Sequence, residues 1–433
     1  MMKENSFTEK MFTAQELEEI RSKFKYVDTD INGQHRLFFD NAGGSLRLID
    51  AENRFKKVSE MPDASEHSNR LALELLEMED KARKEIKEVV FGAKHGAIYP
   101  SYTASQIMME MTRIIGDHAV GTNYVTTILE HPSSFDAMTY YSAKNGCELR
   151  VAQANKVTGG VDADAVIALI DENTAVLSCM AASNISGYIY DVEKIFKRAR
   201  EINPDIYIIC DAVQHAPHGA LDPEKLGVDV MHFAPYKFFG VRGFAVAYLS
   251  DRVATFDHHR LLGKAKDDWE IGSPATAQFA AVQAVIDYVV SLGAVKMPEE
   301  TNRRKLFVKG MQRIADHERG LLYMMLEGTE NMKGLRHMDH VHVEMDGKDL
   351  NTRDLIMSVS FDGVSCEAGV GEYEKHGIVT YDRSASSLYS KRMLEAFDST
   401  GVIRLSPLHV NSLEDIEEFL KATEKIAEEN SAQ

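Results

Sequence analysis

The chain is predicted to adopt an α/β fold, with a large, mostly parallel sheet followed by a smaller α+β C-terminal domain. Three observations carry this. Through the middle of the chain, apolar runs of strand length alternate with amphipathic segments. Each run is rich in Val, Ile, Leu or aromatic residues and ends in polar or small ones. After Leu292 the texture changes to longer charged helices with two short strand-like runs. Strands separated by helices imply parallel pairing with helices on both faces.

Taken in order, Ala14 to Phe24 has a charged helical pattern, and the first forty residues end in Arg36-Leu-Phe-Phe-Asp40. The clearest strand runs follow: Tyr124 to Leu129, Ala175 to Met180, Ile206 to Cys210 and Val228 to Phe233. The longest apolar stretch, Ala277 to Val295, is interrupted by Gln278, Gln283 and Asp287, which predicts a buried helix rather than a membrane span. Beyond it, Glu299 to Met325 reads as an amphipathic helix, and His340 to Met345 and Met357 to Phe361 read as strands. Leu413 to Glu429 reads as a final helix. The expected division is an N-terminal segment, 1–39, packing with the small domain, then a large domain, 40–295, and a small one, 296–433.

Composition narrows the function classes. The 433 residues are 44% hydrophobic and 27% charged, enough to bury a large core. Forty-nine basic against 67 acidic residues give a formal charge of −18, which disfavours nucleic acid and anionic membrane as partners. Cys147, Cys179, Cys210 and Cys366 are too few and too scattered for a disulfide framework. The opening MMKENSFTEK lacks an apolar core of the secretory kind, so a reducing cytoplasm is the expected address. His215 and His218 do not have the i, i+4 spacing or the glutamate of a helical zinc motif, and no metal is expected.

In open α/β sheets, ligands bind beyond the carboxyl ends of the strands. His131, Asn184, Asp211 and Lys237 each stand just past one of the four runs, so a parallel sheet delivers an imidazole, an amide, a carboxylate and an amine to one crevice. Asp211 and Lys237 taken alone fit an ordinary ion pair equally well. The segment His232-Phe-Ala-Pro-Tyr-Lys237-Phe-Phe-Gly240 is apolar, however, and desolvation drives a lysine toward the neutral amine that a Schiff-base nucleophile needs.

The set Asp211-Ala-Val-Gln214-His215 and Ala234-Pro-Tyr-Lys237, with Gly240 and Gly243, resembles the cofactor site of class V aminotransferases, the pyridoxal-phosphate enzymes of fold type I that include cysteine desulfurases. The likeness extends to Asp40-Asn-Ala-Gly-Gly-Ser45, Glu130-His131, Ser183-Asn184-Ile-Ser-Gly187, Gly272-Ser-Pro274 and Val402-Ile-Arg404-Leu-Ser-Pro-Leu-His-Val-Asn411, in the family's order. The resemblance implies pyridoxal 5'-phosphate carried by Lys237 through an imine. Asp211 is then at the ring nitrogen, His131 on the ring face, and Asn184 and Gln214 near the phenolic oxygen. Thr103, Ala104 and Ser105, opening a helical pattern, are implied at the phosphate, with Tyr236 adding a hydroxyl. Arg404 is implied at the substrate carboxylate, with Asn41 nearby, although a structural ion pair is its alternative. Ser273 is implied to reach the phosphate of a partner subunit, giving a homodimer with shared active sites.

Two departures refine this. Ala234 and Tyr236 stand where the family has Ser and His. The stretch Gly377-Ile-Val-Thr-Tyr-Asp-Arg-Ser-Ala-Ser386, before Arg404, lacks the cysteine that accepts sulfur in persulfide-forming members, so the closest likeness is to the desulfurase-like branch without that loop. Cys366 is the candidate reactive thiol, given exposure and a cationic neighbour. The expected activity is desulfurase-like Cβ–S or Cβ–Se cleavage of an α-amino acid, with transamination or epimerisation as alternatives. A cofactor-binding scaffold or sensor is the non-catalytic alternative.

Overall fold

The computed structural model describes residues 7–62, 64 and 68–431; the start of the N-terminal stretch read for a leader, 1–6, lies outside them. Helix α1 (Ala14–Arg21) opens on a reciprocal cap, in which the Thr13 hydroxyl accepts from the Glu16 amide and the Glu16 carboxylate from the Thr13 amide. It ends a turn earlier than its pattern suggests.

The large sheet follows: β1 (Ala97–Ser101), helix α2 (Ala104–His118), β2 (Asn123–Thr127), helix α3 (Pro132–Lys144), β3 (Glu148–Ala152), β4 (Thr174–Met180), β5 (Tyr207–Asp211), β6 (Val230–Phe233) and β7 (Ala245–Leu249). Its order is β1-β7-β6-β5-β4-β2-β3. β7 runs antiparallel to β1 and β6, and the remaining pairs are parallel. Every residue of β2, β4 and β6 is buried, the polar ones included: Asn123, Thr126 and Thr127 in β2, Thr174 and Ser178 in β4, and His232 in β6. The strand starts at 206 and 228 move inward by one and two residues, and Asp211 becomes the last residue of β5 instead of the first one past it.

Two long helices cross behind the sheet. Helix α4 (Thr276–Ala294) passes, by length and a mean hydropathy of 1.3, for a membrane span, but 72% of that window is buried inside the protein. It is therefore a core helix. Its Phe279, Ile286 and Val289 are fully buried, each contributing about 1.5–3 kcal/mol. Helix α5 (Arg303–Glu327) begins where the Asn302 side chain accepts from the Lys305 amide. The two helices touch at glycines: a Cβ on Gly293 would lie 1.9 Å from the Leu306 carbonyl oxygen, and one on Gly310 2.0 Å from that of Val289.

A second sheet contains β8 (Val341–Glu344), β9 (Met357–Phe361), β10 (Tyr381–Ser384) and β11 (Gly401–Leu405), with helices α6 (Cys366–Lys375) and α7 (Lys391–Glu395) inserted and α8 (Leu413–Ser431) last. Its order is β10-β11-β9-β8, antiparallel throughout. Leu321, Met357, Val359, Ile403 and Phe419 form its core. The N-terminal segment bonds to both sides. Arg21 Nη1 donates to the Val410 carbonyl and to Asp415 at 2.8 and 2.9 Å. Phe24 packs edge-on against Phe239, Tyr288 and His409.

Candidate active site

The parallel strands β2, β4, β5 and β6 end along one edge, and a cavity of about 470 Å³ opens there. His131, Asn184, Asp211 and Lys237 all line it, as do Gln214 and Tyr236. Thr103, Ala104 and Ser105 line it too, at the start of α2, where the Thr103 hydroxyl caps the helix by accepting from the Gln106 amide at 3.1 Å.

Lys237 ends a single turn, Pro235–Lys237, directly after β6. The turn is held from behind. Ser45 donates its amide to the Tyr236 carbonyl at 3.1 Å, and its hydroxyl accepts from the Phe239 amide at 2.9 Å. Phe239 has φ of 61°, a left-handed conformation that a bulky residue keeps only when its surroundings impose it. The Lys237 amine opens on the cavity, with the Gln214 amide oxygen at 3.5 Å and no acid within ion-pair distance among the described residues. Burial, and then the Arg404 charge, bring its pKa down from 10.5 to about 8, while Asp211 pulls the other way.

Asp211 accepts from the Val213 amide at 3.0 Å and from the Ser134 hydroxyl at 3.3 Å. His131 is the N-cap of α3, with Pro132 following as the first helical residue. Its Nδ1 accepts from the Ser133 amide at 3.2 Å, which assigns the remaining proton of the neutral ring to Nε2. Burial holds its pKa down to about 4, so the ring is neutral near pH 7. Behind it Glu130 is fully buried, accepting from the Thr127 hydroxyl and the Met180 amide, and burial pushes its pKa up to about 8.

Three candidates stand apart from the cavity lining. Arg404 is 2% exposed; its Nη2 donates to Asp40 at 2.6 Å and its Nη1 to the Asn184 carbonyl at 3.2 Å. It stands close enough to lower the Lys237 pKa. Asn41 does not line the cavity. Its amide nitrogen donates to the Phe38 and Ser406 carbonyls and its oxygen accepts from the Leu46 amide, so its hydrogen-bonding groups are committed to backbone. The expectation that it touches substrate is corrected to that of a backbone clamp. Ser273 lies on the wall of a different depression, of about 930 Å³, alongside Arg83 and Trp269.

Cys366, the candidate thiol, lacks the surroundings that would make it reactive. The residue opens α6 away from the cavity, and burial and its neighbour Glu367 push the thiol up to about 11. The two histidines of the H-x-x-H pair go to separate acids, His215 to Asp354 at 2.9 Å and His218 to Glu318 at 2.7 Å.

The sequence reading missed Ser133, Arg242 and Tyr389 in the lining, and left open whether Arg383, which lies beside it, approaches the pocket. Arg242 lies over the Tyr236 ring at 4.1 Å. Only its position five residues past Lys237 hinted at it. Tyr389 and Arg383 come from the segment around β10, which no local pattern ties to the sheet ends.

The residues present fit pyridoxal phosphate. The cavity has an amine with a depressed pKa and no acid partner, and a carboxylate from an adjacent strand end. It also has the unbonded first amides of a fifteen-residue helix beside two hydroxyls. The buried Asn184 side-chain oxygen has no hydrogen-bond partner among the described residues, a position that a ligand's polar edge satisfies.

Comparison with known proteins agrees with this arrangement. A probable cysteine desulfurase of Streptomyces coelicolor is 28% identical over 306 residues, covering 65% of this chain and 72% of that one. An aminotransferase-like protein of Gibberella zeae, FGM3, is 24% identical over 436 residues, covering 95% and 98%. Among solved structures, the apo cysteine desulfurase of Thermococcus onnurineus superposes with a TM-score of 0.79 at 21% identity, covering 95% and 98%. The cysteine desulfurase CsdA of Escherichia coli gives 0.77 at 16%, covering 96% and 99%. These superpositions show fold type I. The family Aminotransferase class-V matches residues 37–419, nearly the whole chain. The chain therefore belongs to the class V aminotransferase family, as a pyridoxal-phosphate-dependent enzyme of amino-acid chemistry.

Proposed function

We propose that the protein is a Cβ–S or Cβ–Se lyase of an α-amino acid, working in the cytoplasm as a homodimer whose partner contributes Ser273 to each site. The division 1–39, 40–295 and 296–433 belongs to the same proposal. The observation that carries the reading is the Lys237 amine: held on a braced turn, half-buried at the cavity floor, and without an acid of its own.

Pyridoxal phosphate, when bound, supplies an aldehyde for that amine and a conjugated ring that delocalises the electron pair left at Cα. Asp211, kept in place by the Val213 amide and the Ser134 hydroxyl, holds the ring nitrogen. His131 covers one ring face as a neutral imidazole, and Asn184 and Gln214 hold the phenolic edge. Thr103, Ala104, Ser105 and the Tyr236 hydroxyl hold the phosphate, and Arg404 orients the substrate carboxylate. Lys237 Nζ takes the Cα proton once freed, as a general base whose pKa of about 8 lies near neutrality. The sulfur leaves Cβ with its bonding pair. Net, cysteine and water give pyruvate, ammonia and hydrogen sulfide.

Cys147, Cys179, Cys210 and Cys366 are all absent from the cavity lining, and each thiol is pushed above its ordinary pKa by burial. Sulfur is therefore released rather than passed to a thiol of this chain. The likeness over nearly the full length to an aminotransferase-like protein supports transamination as the second reading.

The test is an absorbance spectrum of cofactor-saturated protein, borohydride reduction and peptide mapping, with products then assayed from cysteine. A reduced adduct on Lys237 with sulfide and pyruvate supports the lyase. A requirement for a keto-acid acceptor supports transamination. An unmodified Lys237 overturns both.

A further inference from the structure

Among the described residues, the cavity lining holds two cations, Lys237 and Arg242, and one acid, Asp211. The roles above employ Lys237 and Asp211 and leave Arg242 without one. Its guanidinium lies over the Tyr236 ring at 4.1 Å, and among the described residues no carboxylate comes within ion-pair distance of it. An exposed arginine stacked on a ring is ordinary, so its place in the fold decides what it can do.

Strand register sets that place. β1 and β7 run antiparallel, pairing Ala97 with Leu249 and Ser101 with Ala245. The same register, carried three residues past the last pair, sets Arg242 against Ala104, the first residue of α2. Thr103 is extended, with φ of −145° and ψ of 149°, so the chain keeps strand geometry up to the helix. On the opposing side Gly243 turns the backbone with φ of 93°, and Gln278 of α4 donates from Nε2 to the Arg242 carbonyl at 3.2 Å. A Cβ on Gly44 would lie 3.2 Å from Arg242 Nη2 and 3.4 Å from the Tyr236 ring, so backbone closes over the stacked pair. The arginine is thereby brought to the end of the cavity where α2 begins.

Charge decides what it meets there. A phosphate monoester carries about −1.5 to −2 near pH 7, whereas a helix N-terminus offers the equivalent of about +0.5. Thr103 and Ser105 add neutral hydroxyls, and Lys237 is committed to the cofactor's aldehyde. At least about one unit of negative charge is left over, and Arg242 is the remaining cation in the described lining. We propose that Arg242, steadied by the Tyr236 ring, is the fixed counter-ion of the cofactor's phosphate. A guanidinium fork matches two phosphate oxygens at once. This role deepens the proposed function and rests on it for the placing of the phosphate beside Thr103, Ala104 and Ser105.

The test strips the protein of cofactor and measures its affinity for three ligands by equilibrium dialysis. They are pyridoxal 5'-phosphate, pyridoxal, and pyridoxine 5'-phosphate, whose alcohol cannot condense with Lys237. Arg242→Gln should weaken both phosphorylated ligands about ten- to a hundredfold and leave pyridoxal within about threefold. Arg242→Lys, which keeps the charge without the fork, should recover part of the loss. Inorganic phosphate should bind the wild-type apoprotein about tenfold more tightly than it binds Arg242→Gln. Unchanged affinity of Arg242→Gln for the phosphorylated ligands overturns the role. So does an equal loss for pyridoxal, which a general disturbance of the cavity would give. So does a variant that keeps its cofactor and loses only affinity for L-alanine, which would place Arg242 at the substrate. Failure of wild-type protein to form a Lys237 adduct sinks the proposed function instead, and pyridoxine 5'-phosphate still reads Arg242 without that bond.

Discussion

Replacing Lys237 by methionine should make the apoprotein more stable, and by an amount that depends on pH in a defined direction. The lysine titrates at about 8 in the folded chain against 10.5 in an unfolded one. Below pH 8 both states are protonated and the folded state carries the full penalty, at most about 3 kcal/mol from the conversion of pKa to free energy. As pH rises the folded lysine sheds its proton first, and the penalty vanishes above 10.5. Methionine fills similar volume with no charge, so the variant's advantage should be greatest near neutrality and about half as large by about pH 9.5. Water in the cavity reduces the absolute value without changing the trend. Urea unfolding of both apoproteins at three pH values measures it. Arg404→Gln, which removes the second cause of the depression, should raise the lysine's pKa toward but short of 10.5. A pH-independent difference between wild type and Lys237→Met would refute the account of the lysine as a desolvated amine.

Other outcomes follow from the same structure. Ser134→Ala removes a hydroxyl donor to Asp211 and should weaken cofactor affinity about tenfold, read by equilibrium dialysis. Gly310→Ala forces a methyl group onto the Val289 carbonyl and should cost on the order of 3 kcal/mol, whereas Gly371→Ala, with open space around it in α6, should stabilise by up to about 1 kcal/mol; thermal melts compare them. The buried pair of His218 and Glu318 raises the histidine to about 9 from 6.5. Its contribution is fully present below pH 6.5 and lost as pH rises through 9, so His218→Gln should flatten the stability profile across that window.

The strands that deliver the site were legible because each is buried along nearly its whole length and carries Val, Ile, Leu or aromatic residues. Those at the sheet's margin were not: β3 is open to solvent along much of its length, and β1 carries Pro100, which suits an edge and disguises a strand. At the site, His131, Asn184, Asp211 and Lys237 could be read because a parallel sheet converts position after a strand into position in space. Arg383 could not, since its nearness to the lysine depends on how the second sheet seats against the first, and Arg242 could not, since it stands in the loop between the lysine's turn and β7, whose path over the Tyr236 ring no pattern specifies. Asn41 shows the opposite failure. A motif located it correctly near Arg404's strand, but the partners of its amide are backbone groups that no pattern specifies.

Phe239 has a wider consequence. Its unfavourable backbone angle, two residues beyond the reactive amine, is imposed from the far side by Ser45, by the amide of Leu48 and by the ring of Phe24. The segment 24–48 therefore acts as a splint for the lysine without lining the cavity. Trimming it to tidy an expression clone would leave the crevice drawn correctly on paper and its nucleophile loose.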